Sequence, residues 1–505
     1  MQVKTQADDL QNYLTDASNL AGGHAEKLFL PETAEELSTI LREATERKIP
    51  VTICGARTGT VGGAIPFGGY LVSLERFNKI KEINAEKLFV VVECGVVLSD
   101  FQKAVERENL FYPPDPTEWS CQIGGTVATN ASGARSFKYG ATRNYVERLE
   151  IVLPTGEIIN LKRGEVLANK KGKITLPVSV CGEVLIVPVP TYAAPKTRKN
   201  ASGYFTSAEN TDAVDLFVGS EGTLGVITEI ELKLFPKPEG FLSGIVFFKD
   251  EKDLLNFVNE ARKISFQSRN DKIQNPKSKI QNRIDATVLE YFDENSLDFI
   301  KEKFPETPEN MAGAIFFEQE TTNETEDALF EQWNSLLEKH RADLEKSWFA
   351  TAENDLQKMR EFRHALPVAV NERIVRYKQR KVGTDMAVPV ENFASFLKFY
   401  KQKLTESKLD FVIFGHIGDA HLHANVLPKN ADEMTRAKNL YGRFVAQAMM
   451  LGGTVSAEHG IGKLKKHYLQ VMFGERYLNE MIEFKHAFDP NGILNRGNMF
   501  DEKFN

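Results

Sequence analysis

From Ala34 to Arg47 apolar residues recur at helical spacing, and the run KIPVTICG that follows predicts a short buried strand entering a glycine-rich turn. Between residues 51 and 160, strand-like runs such as YLVSL and LFVVVECG alternate with Gly-rich and Pro-rich connections. The stretch LFVGSEGTLGVITEIELKLFP, Leu216 to Pro236, closes this region with a Gly-rich turn and the alternating strand VITEIELKL. Pro236 and Pro238 mark a boundary after it. Beyond the boundary, GFLSGIVFFKD and GAIFFEQE predict strands, separated by amphipathic helices such as Glu251 to Ile264, which suits an α+β domain on an antiparallel sheet. KIQNPKSKIQN, Lys272 to Asn282, is polar, contains a short repeat and predicts an exposed loop. The last 50 or so residues return to helical periodicity and end in the irregular tail PNGILNRGNMF.

One predicted hairpin is unusual in its chemistry. GHIGDAHLHANV, Gly415 to Val426, holds three of the chain's nine histidines. FVIF before it and HLHANVL after it predict two strands, with Gly418 and Asp419 as a two-residue turn. In that register Ile417 faces Ala420, His416 faces His421, and His423 lies diagonally across on the same face, so the three imidazoles converge. A turn one residue longer or shorter moves His416 to the opposite face, because side chains alternate along a strand. The alternatives are a transition-metal site, which wants about three protein ligands and an open position, or a hairpin of solvated or core-satisfied rings.

A chain of 505 residues is long enough for two or three domains. A net charge of −7 and the lack of a basic stripe interleaved with aromatics argue against nucleic acid as a partner. The N-terminus MQVKTQADDLQNYLTDASNL is polar and acidic, unlike a signal peptide, and no run of about 18 apolar residues occurs, so a cytoplasmic protein is expected. Cys54, Cys94, Cys121 and Cys181 form no C-x-x-C pair, which argues against an iron–sulfur cluster or structural zinc site in this chain.

Three glycine-rich stretches carry the next signal. CGARTGTVGGAIP, Cys54 to Pro66, would let backbone N–H groups point at a phosphate, although it is neither a Walker A loop nor a G-x-G-x-x-G turn opening a helix. YPPDPTEWSCQIGGTVATNASGARSFKYG, Tyr112 to Gly140, joins a rigid PPDP to a small, polar, flexible stretch. GSEGTLG, Gly219 to Gly225, is the third. Three such stretches in one region exceed what turns require, and a large dinucleotide along an extended groove accounts for all of them.

In order and spacing these stretches resemble the FAD-binding domain of the vanillyl-alcohol-oxidase/PCMH flavoprotein superfamily. GHIGDAHLH, SAEHGIG (Ser456 to Gly462) and DPNGILNRGNMF are similar to the C-terminal signatures of its D-lactate dehydrogenase, glycolate oxidase D-subunit and D-2-hydroxyglutarate dehydrogenase branch, over about Tyr13 to Phe500. The resemblance implies an α+β fold: a PCMH-type FAD-binding domain of two α+β subdomains over residues 1–236. It further implies a cap domain over 237–450, with an antiparallel sheet flanked by helices, and a helical segment over 451–505 that packs back on the FAD domain. It assigns Arg57, Thr58, Gly59, Thr60, Gly62 and Gly63 to the FAD pyrophosphate, and Pro114, Asp115, Gly124, Gly125, Thr129, Asn130 and Gly133 to the flavin and ribityl chain. Glu221, Gly222 and Ile227 flank the nucleotide and Asn495 approaches from the tail. Thr60 and Val61 stand where some relatives carry a histidine for covalent attachment, so the FAD is expected to be non-covalent.

The same resemblance implies a divalent metal, zinc, manganese or iron, on His416, His423 and Glu458, with His459 as catalytic base. Two imidazoles and a carboxylate leave positions where a substrate carboxylate and α-hydroxyl chelate. Arg363 matches a carboxylate clamp, with Arg360 one helical turn away. Lys381 and Asp385 match a segment lining the substrate pocket, as does Asn425. Two departures stand out: the usual GDGN of the hairpin is GDAH, which puts His421 near the metal as ligand, supporting group or substrate contact, and the tail's NPGK is NRGN.

The implied activity is FAD-dependent oxidation of a D-2-hydroxy acid of the lactate, glycolate or 2-hydroxyglutarate type to the 2-oxo acid. Electrons would pass to a quinone, an electron-transfer protein or an iron–sulfur subunit. Peripheral membrane association and a homodimer are compatible with it. A metal-dependent hydrolase, the first rival, leaves the glycine-rich stretches unexplained. The second is a non-catalytic or partner-dependent flavin subunit of a larger complex.

Overall fold

The computed structural model describes residues 1–180, 183–207, 210–274 and 283–501. The first layer is a four-stranded sheet in the order Gln2–Lys4, Lys27–Leu30, Tyr70–Ser73, Val51–Cys54, with the last three strands parallel. The helix Ala34–Arg47 makes the crossover and forms as its spacing predicts. Thr33 caps it by accepting from Glu36 N–H, Glu35 and Glu36 occupy the positive end, and Lys48 ends it in the left-handed region. Leu37, Ile40 and Leu41 are buried beneath it, worth about 1.5–3 kcal/mol each.

A second, antiparallel sheet runs Ile80–Asn84, Phe89–Glu93, Val226–Lys233, Val146–Val152, Ile158–Lys162. Its central strand is the alternating VITEIELKL run. Against the neighbouring strand lies a difference from expectation: within the stretch expected to be flexible, IGGTVA is the short helix Ile123–Ala128. A Cβ on Gly124 would stand 2.6 Å from Cys94 Cβ, so glycine lets this helix press directly on the sheet.

The third sheet has seven antiparallel strands: Trp348–Ala350, Gly240–Phe248, Gly313–Thr321, Val288–Asp293, Phe411–Gly415, His423–Val426, Val382–Gly383. Its central strands are buried on both faces, and Trp333 of helix Glu326–Lys339 stacks on Phe317 at 4.1 Å. The helix expected over Glu251 to Ile264 runs on to Gln274, so Lys272 to Gln274 are helical and not loop; residues 275–282 of the KIQNPKSKIQN stretch lie outside the described residues.

The helix Lys466–Phe488, broken at Gly474, leads to the irregular tail. Buried Lys485 pairs with Asp489 at 2.7 Å, and Asp489 accepts from the N–H groups of Ile493 and Leu494. The tail then lies beside Val51–Cys54: Val51 N–H donates to Ile493 O and Asn495 N–H to Val51 O, both at 2.8 Å. Among the described residues no helix is long and apolar enough to cross a membrane.

Candidate active site

A cavity of about 1900 Å³ runs between the three glycine-rich stretches, the tail and the histidine hairpin. That exceeds the ~300–1,000 Å³ of an ordinary small-molecule pocket and leaves room for a dinucleotide with a small acid beside it. Arg57, Thr58, Gly59, Thr60 and Gly63 form one wall; Gly124, Gly125 and Thr129 another; Glu221, Gly222, Ile227 and Asn495 close the far side. At Gly59 and Gly125 the backbone faces open space, so peptide groups lie bare to a ligand. These walls fit FAD. Arg57, Glu221 and Asn495 all hold positive φ, strained backbone gathered around one cavity.

Gly62, Pro114, Asp115, Asn130 and Gly133 do not line the cavity; they sit behind its walls. A Cβ at Gly133 would fall 1.8 Å from the carbonyl oxygen of Asp115, so this glycine lets two wall segments touch. Glu221 turns inward. Its carboxylate accepts from Ile461 N–H at 2.6 Å and Gly462 N–H at 2.7 Å, tying the GSEGTLG turn to the EHGIG turn, and burial pushes its pKa up. Asn495 donates to Glu221 O and accepts from Ile53 N–H, both at 2.8 Å.

At one end of the cavity stand His423, Glu458 and His459. The hairpin keeps the expected register, with Phe414 opposite His423, yet Ile417–Asp419 forms a 3₁₀ turn where a two-residue turn was predicted. The cause is remote: Arg262 donates to Ile417 O at 2.6 Å and Gly418 O at 3.1 Å, holding the tip in that conformation. Buried Asp419 accepts from Ser136 Oγ at 2.6 Å and Arg198 at 2.8 Å, pinning the hairpin to the end of the Tyr112–Gly140 stretch.

His416 Nε2 and His423 Nε2 converge on Glu458 Oε1, at 3.3 and 3.1 Å. Glu458 Oε2 is already taken by buried Lys199 at 2.9 Å and Ser132 at 3.0 Å, so Oε1 is the oxygen presented to His416 and His423. Each ring is fixed from behind. His416 Nδ1 lies 2.5 Å from Glu290 Oε1, and His423 Nδ1 donates to Thr384 O at 2.9 Å. Burial opposes the charge on His416, but the Glu290 carboxylate beside it outweighs burial and holds the imidazolium up to about 9; Glu290 in turn is held down to about 2. Burial pushes His421 down to about 3 and His459 down to about 4, so both are neutral imidazoles. One donor atom from each of His416, His421, His423 and Glu458 lies within 4.8 Å of the others, a set that suits a divalent cation.

His459 Nδ1 lies 3.5 Å from Asp385 Oδ2, and its ring stacks on His423 at 5.3 Å. Asp385 is fully buried behind both. It accepts from Ser456 Oγ and Lys465 Nζ at 2.6 Å each and from the N–H groups of Glu458 and His459. Lys381 and Asn425 line the cavity; Lys381 is exposed, and the surrounding protein still pushes its ammonium down.

Arg363 is buried off the cavity wall, with Nε 3.4 Å from Glu290 Oε2 in an ion pair that lacks hydrogen-bond alignment. Arg360 faces Glu318 at 3.2 Å instead. Sequence reasoning missed Glu290, Lys199 and Lys465. A carboxylate inside the wholly buried strand VLEYFD was a readable signal for Glu290; for the two lysines no local pattern exists.

Residues 25–162 match the FAD binding domain family, and residues 262–499 match the C-terminal domain of the FAD linked oxidases. The glycolate oxidase subunit GlcD of Bacillus subtilis is 30% identical over 97% of this chain and 92% of its own length. A D-lactate dehydrogenase of Anaerostipes hadrus is 31% identical over 92% of this chain and 87% of its own, and a D-2-hydroxyglutarate dehydrogenase of Xanthomonas citri is 29% identical over 99% and 94%. Among solved structures, p-cresol methylhydroxylase with substrate bound superposes with a TM-score of 0.69 at 15% identity, covering 100% of this chain and 94% of that one, which shows the shared fold. With a backbone-lined dinucleotide groove and relatives matched nearly end to end, this chain belongs to the FAD-linked oxidases and is an FAD-dependent oxidoreductase.

Proposed function

We propose that the protein oxidises a small D-2-hydroxy acid, of the lactate, glycolate or 2-hydroxyglutarate class, to the 2-oxo acid. The observation that most supports this is the convergence of His416 Nε2 and His423 Nε2 on one oxygen of Glu458 at the end of the FAD groove. When bound, FAD supplies a two-electron acceptor and a divalent ion supplies a Lewis acid for a hydroxyl oxygen.

His416, His423 and Glu458 would hold that ion, be it zinc, manganese or iron, and Glu290 and Thr384 keep the imidazoles oriented. His459, neutral and with Nδ1 turned to Asp385, offers Nε2 to take the hydroxyl proton. Lys381 and Asn425 on the cavity wall would contact the acid. Arg363, whose Nε lacks a hydrogen bond, would attract its carboxylate. The FAD is held without a covalent bond, since Thr60 and Val61 offer no attachment in the pyrophosphate loop. Residues 1–236 form the FAD domain, 237–450 the cap and 451–505 a segment returning to the first. Reoxidation falls to a quinone, an electron-transfer protein or an iron–sulfur subunit.

The test is the visible flavin spectrum during anaerobic titration with D-lactate, glycolate and D-2-hydroxyglutarate, each repeated after chelation. Bleaching that chelation abolishes is expected. Equal bleaching without metal removes the ion from the reaction, and no bleaching with any of the three acids sinks the substrate class.

A further inference from the structure

We propose that His421 is a fourth protein ligand of the divalent ion, through Nδ1, so that three imidazoles and one carboxylate hold it. This rests on the metal reading above and goes beyond its ligand set of His416, His423 and Glu458.

His421 is completely buried; its Nδ1 has no hydrogen-bond partner within the protein, and its Nε2 has only the Asp385 carboxylate, 3.2 Å away and poorly aligned. A core histidine of the ordinary kind has a partner for each nitrogen, because a buried polar atom left unpaired carries its full desolvation cost. The ring's position supplies the missing partner. It stands 4.5 Å from the His423 ring and 5.5 Å from that of His416, centroid to centroid. Its Nδ1 lies 4.0 Å from Glu458 Oε2, inside the same cluster of donor atoms.

The outward nitrogens make the case sharper. A metal-bound imidazole turns its other nitrogen to a carboxylate or carbonyl, which fixes tautomer and ring orientation. His416 has Glu290 in that place at 2.5 Å, and His423 has Thr384 O at 2.9 Å. His421 Nε2 faces Asp385 Oδ1 at 3.2 Å. All three rings therefore back onto an oxygen and turn the opposite nitrogen towards the Glu458 carboxylate, His416 and His423 at Oε1 and His421 at Oε2. His421, like His416, stands behind the residues that line the cavity.

The backbone holds it there. Ala420 adopts the left-handed region, and His421 N–H donates to His416 O at 3.2 Å, which sets the two rings side by side across the turn. Four protein ligands leave two positions on a six-coordinate ion, the number a 2-hydroxy acid needs to chelate through its carboxylate and hydroxyl oxygens.

The FAD-loaded protein, stripped with chelator and titrated with manganese(II), tests this by electron paramagnetic resonance. Loss of the free-ion signal reads affinity, and pulsed measurements count coordinated imidazoles. Three imidazoles are expected in the wild type and two in His421→Asn, with affinity about 10–100-fold weaker. The flavin band and melting temperature check that the variant folds; if it does not, the wild-type count decides alone. Two imidazoles in the wild type, or an unchanged count in a folded variant, overturns this ligand while leaving the metal reading intact. Failure of the wild type to bind the ion overturns both.

Discussion

Glu290 reaches His416 from behind, 2.5 Å from Nδ1, while its other oxygen faces Arg363 at 3.4 Å. One buried carboxylate thus connects the proposed carboxylate clamp to the proposed metal ligand. Replacing it with glutamine keeps the shape and removes the charge. Glu290→Gln is expected to weaken divalent-metal binding about 10–100-fold, measured by calorimetric titration of the chelator-stripped protein. Unchanged affinity would mean that His416 needs no orienting partner.

His459 is argued to move a proton and not to hold the ion. His459→Gln is therefore expected to slow anaerobic flavin reduction by the hydroxy acid about 10²–10⁴-fold in stopped flow. Manganese affinity should stay within about threefold, far inside the loss expected for a missing ligand. A variant that loses metal and rate together would make His459 a ligand, and one that keeps its rate would place the base elsewhere.

The parts of the fold that were legible in the sequence are those governed by neighbours in the chain. Helix Ala34–Arg47 is written in its apolar stripe, and the register of the histidine hairpin is the one expected from centring its turn on Gly418 and Asp419. The conformation of the hairpin tip was not legible, because Arg262, over 150 positions away, takes its carbonyls. IGGTVA read as part of a small, polar, flexible stretch, while packing against Cys94 holds it as a helix. Within the site, the His/His/Glu set was visible as motifs. The groups that orient it were not: Glu290 meets His416 across 126 positions and Lys199 meets Glu458 across 259, and no local period encodes such pairs.

Asp293 gives a stability prediction away from the site. It is buried at the start of helix Glu294–Ile300, where Oδ1 accepts from Ser296 N–H at 2.8 Å and Ser296 Oγ at 2.6 Å. Burial outweighs these bonds and raises its pKa to about 6. The folded state then binds more protons than the unfolded state, whose aspartate titrates near 3.9, so the contribution of Asp293 is fully present below about pH 3.9 and is lost as pH rises through about 6. Relative to Asp293→Asn, the wild type is expected to lose up to about 3 kcal/mol of stability between about pH 4 and pH 7 in urea unfolding. A difference that stays constant over that range would refute the raised pKa.

Ion preference follows from counting positions around the proposed centre. His416, His421, His423 and Glu458 supply four donors, and a chelating hydroxy acid adds two oxygens. Zinc with four protein ligands is ordinarily a closed tetrahedral site, whereas manganese(II) and iron(II) accept six ligands. Zinc should therefore bind the stripped protein well yet support flavin reduction poorly. Manganese(II) or iron(II) is expected to restore anaerobic bleaching at least about an order of magnitude faster than zinc. In His421→Asn, with one donor gone, zinc regains an open position and the gap between the ions should narrow. Equal rates with zinc and manganese in the wild type would mean either that His421 stays off the ion during turnover or that the acid binds through one oxygen; the imidazole count on the manganese form separates the two.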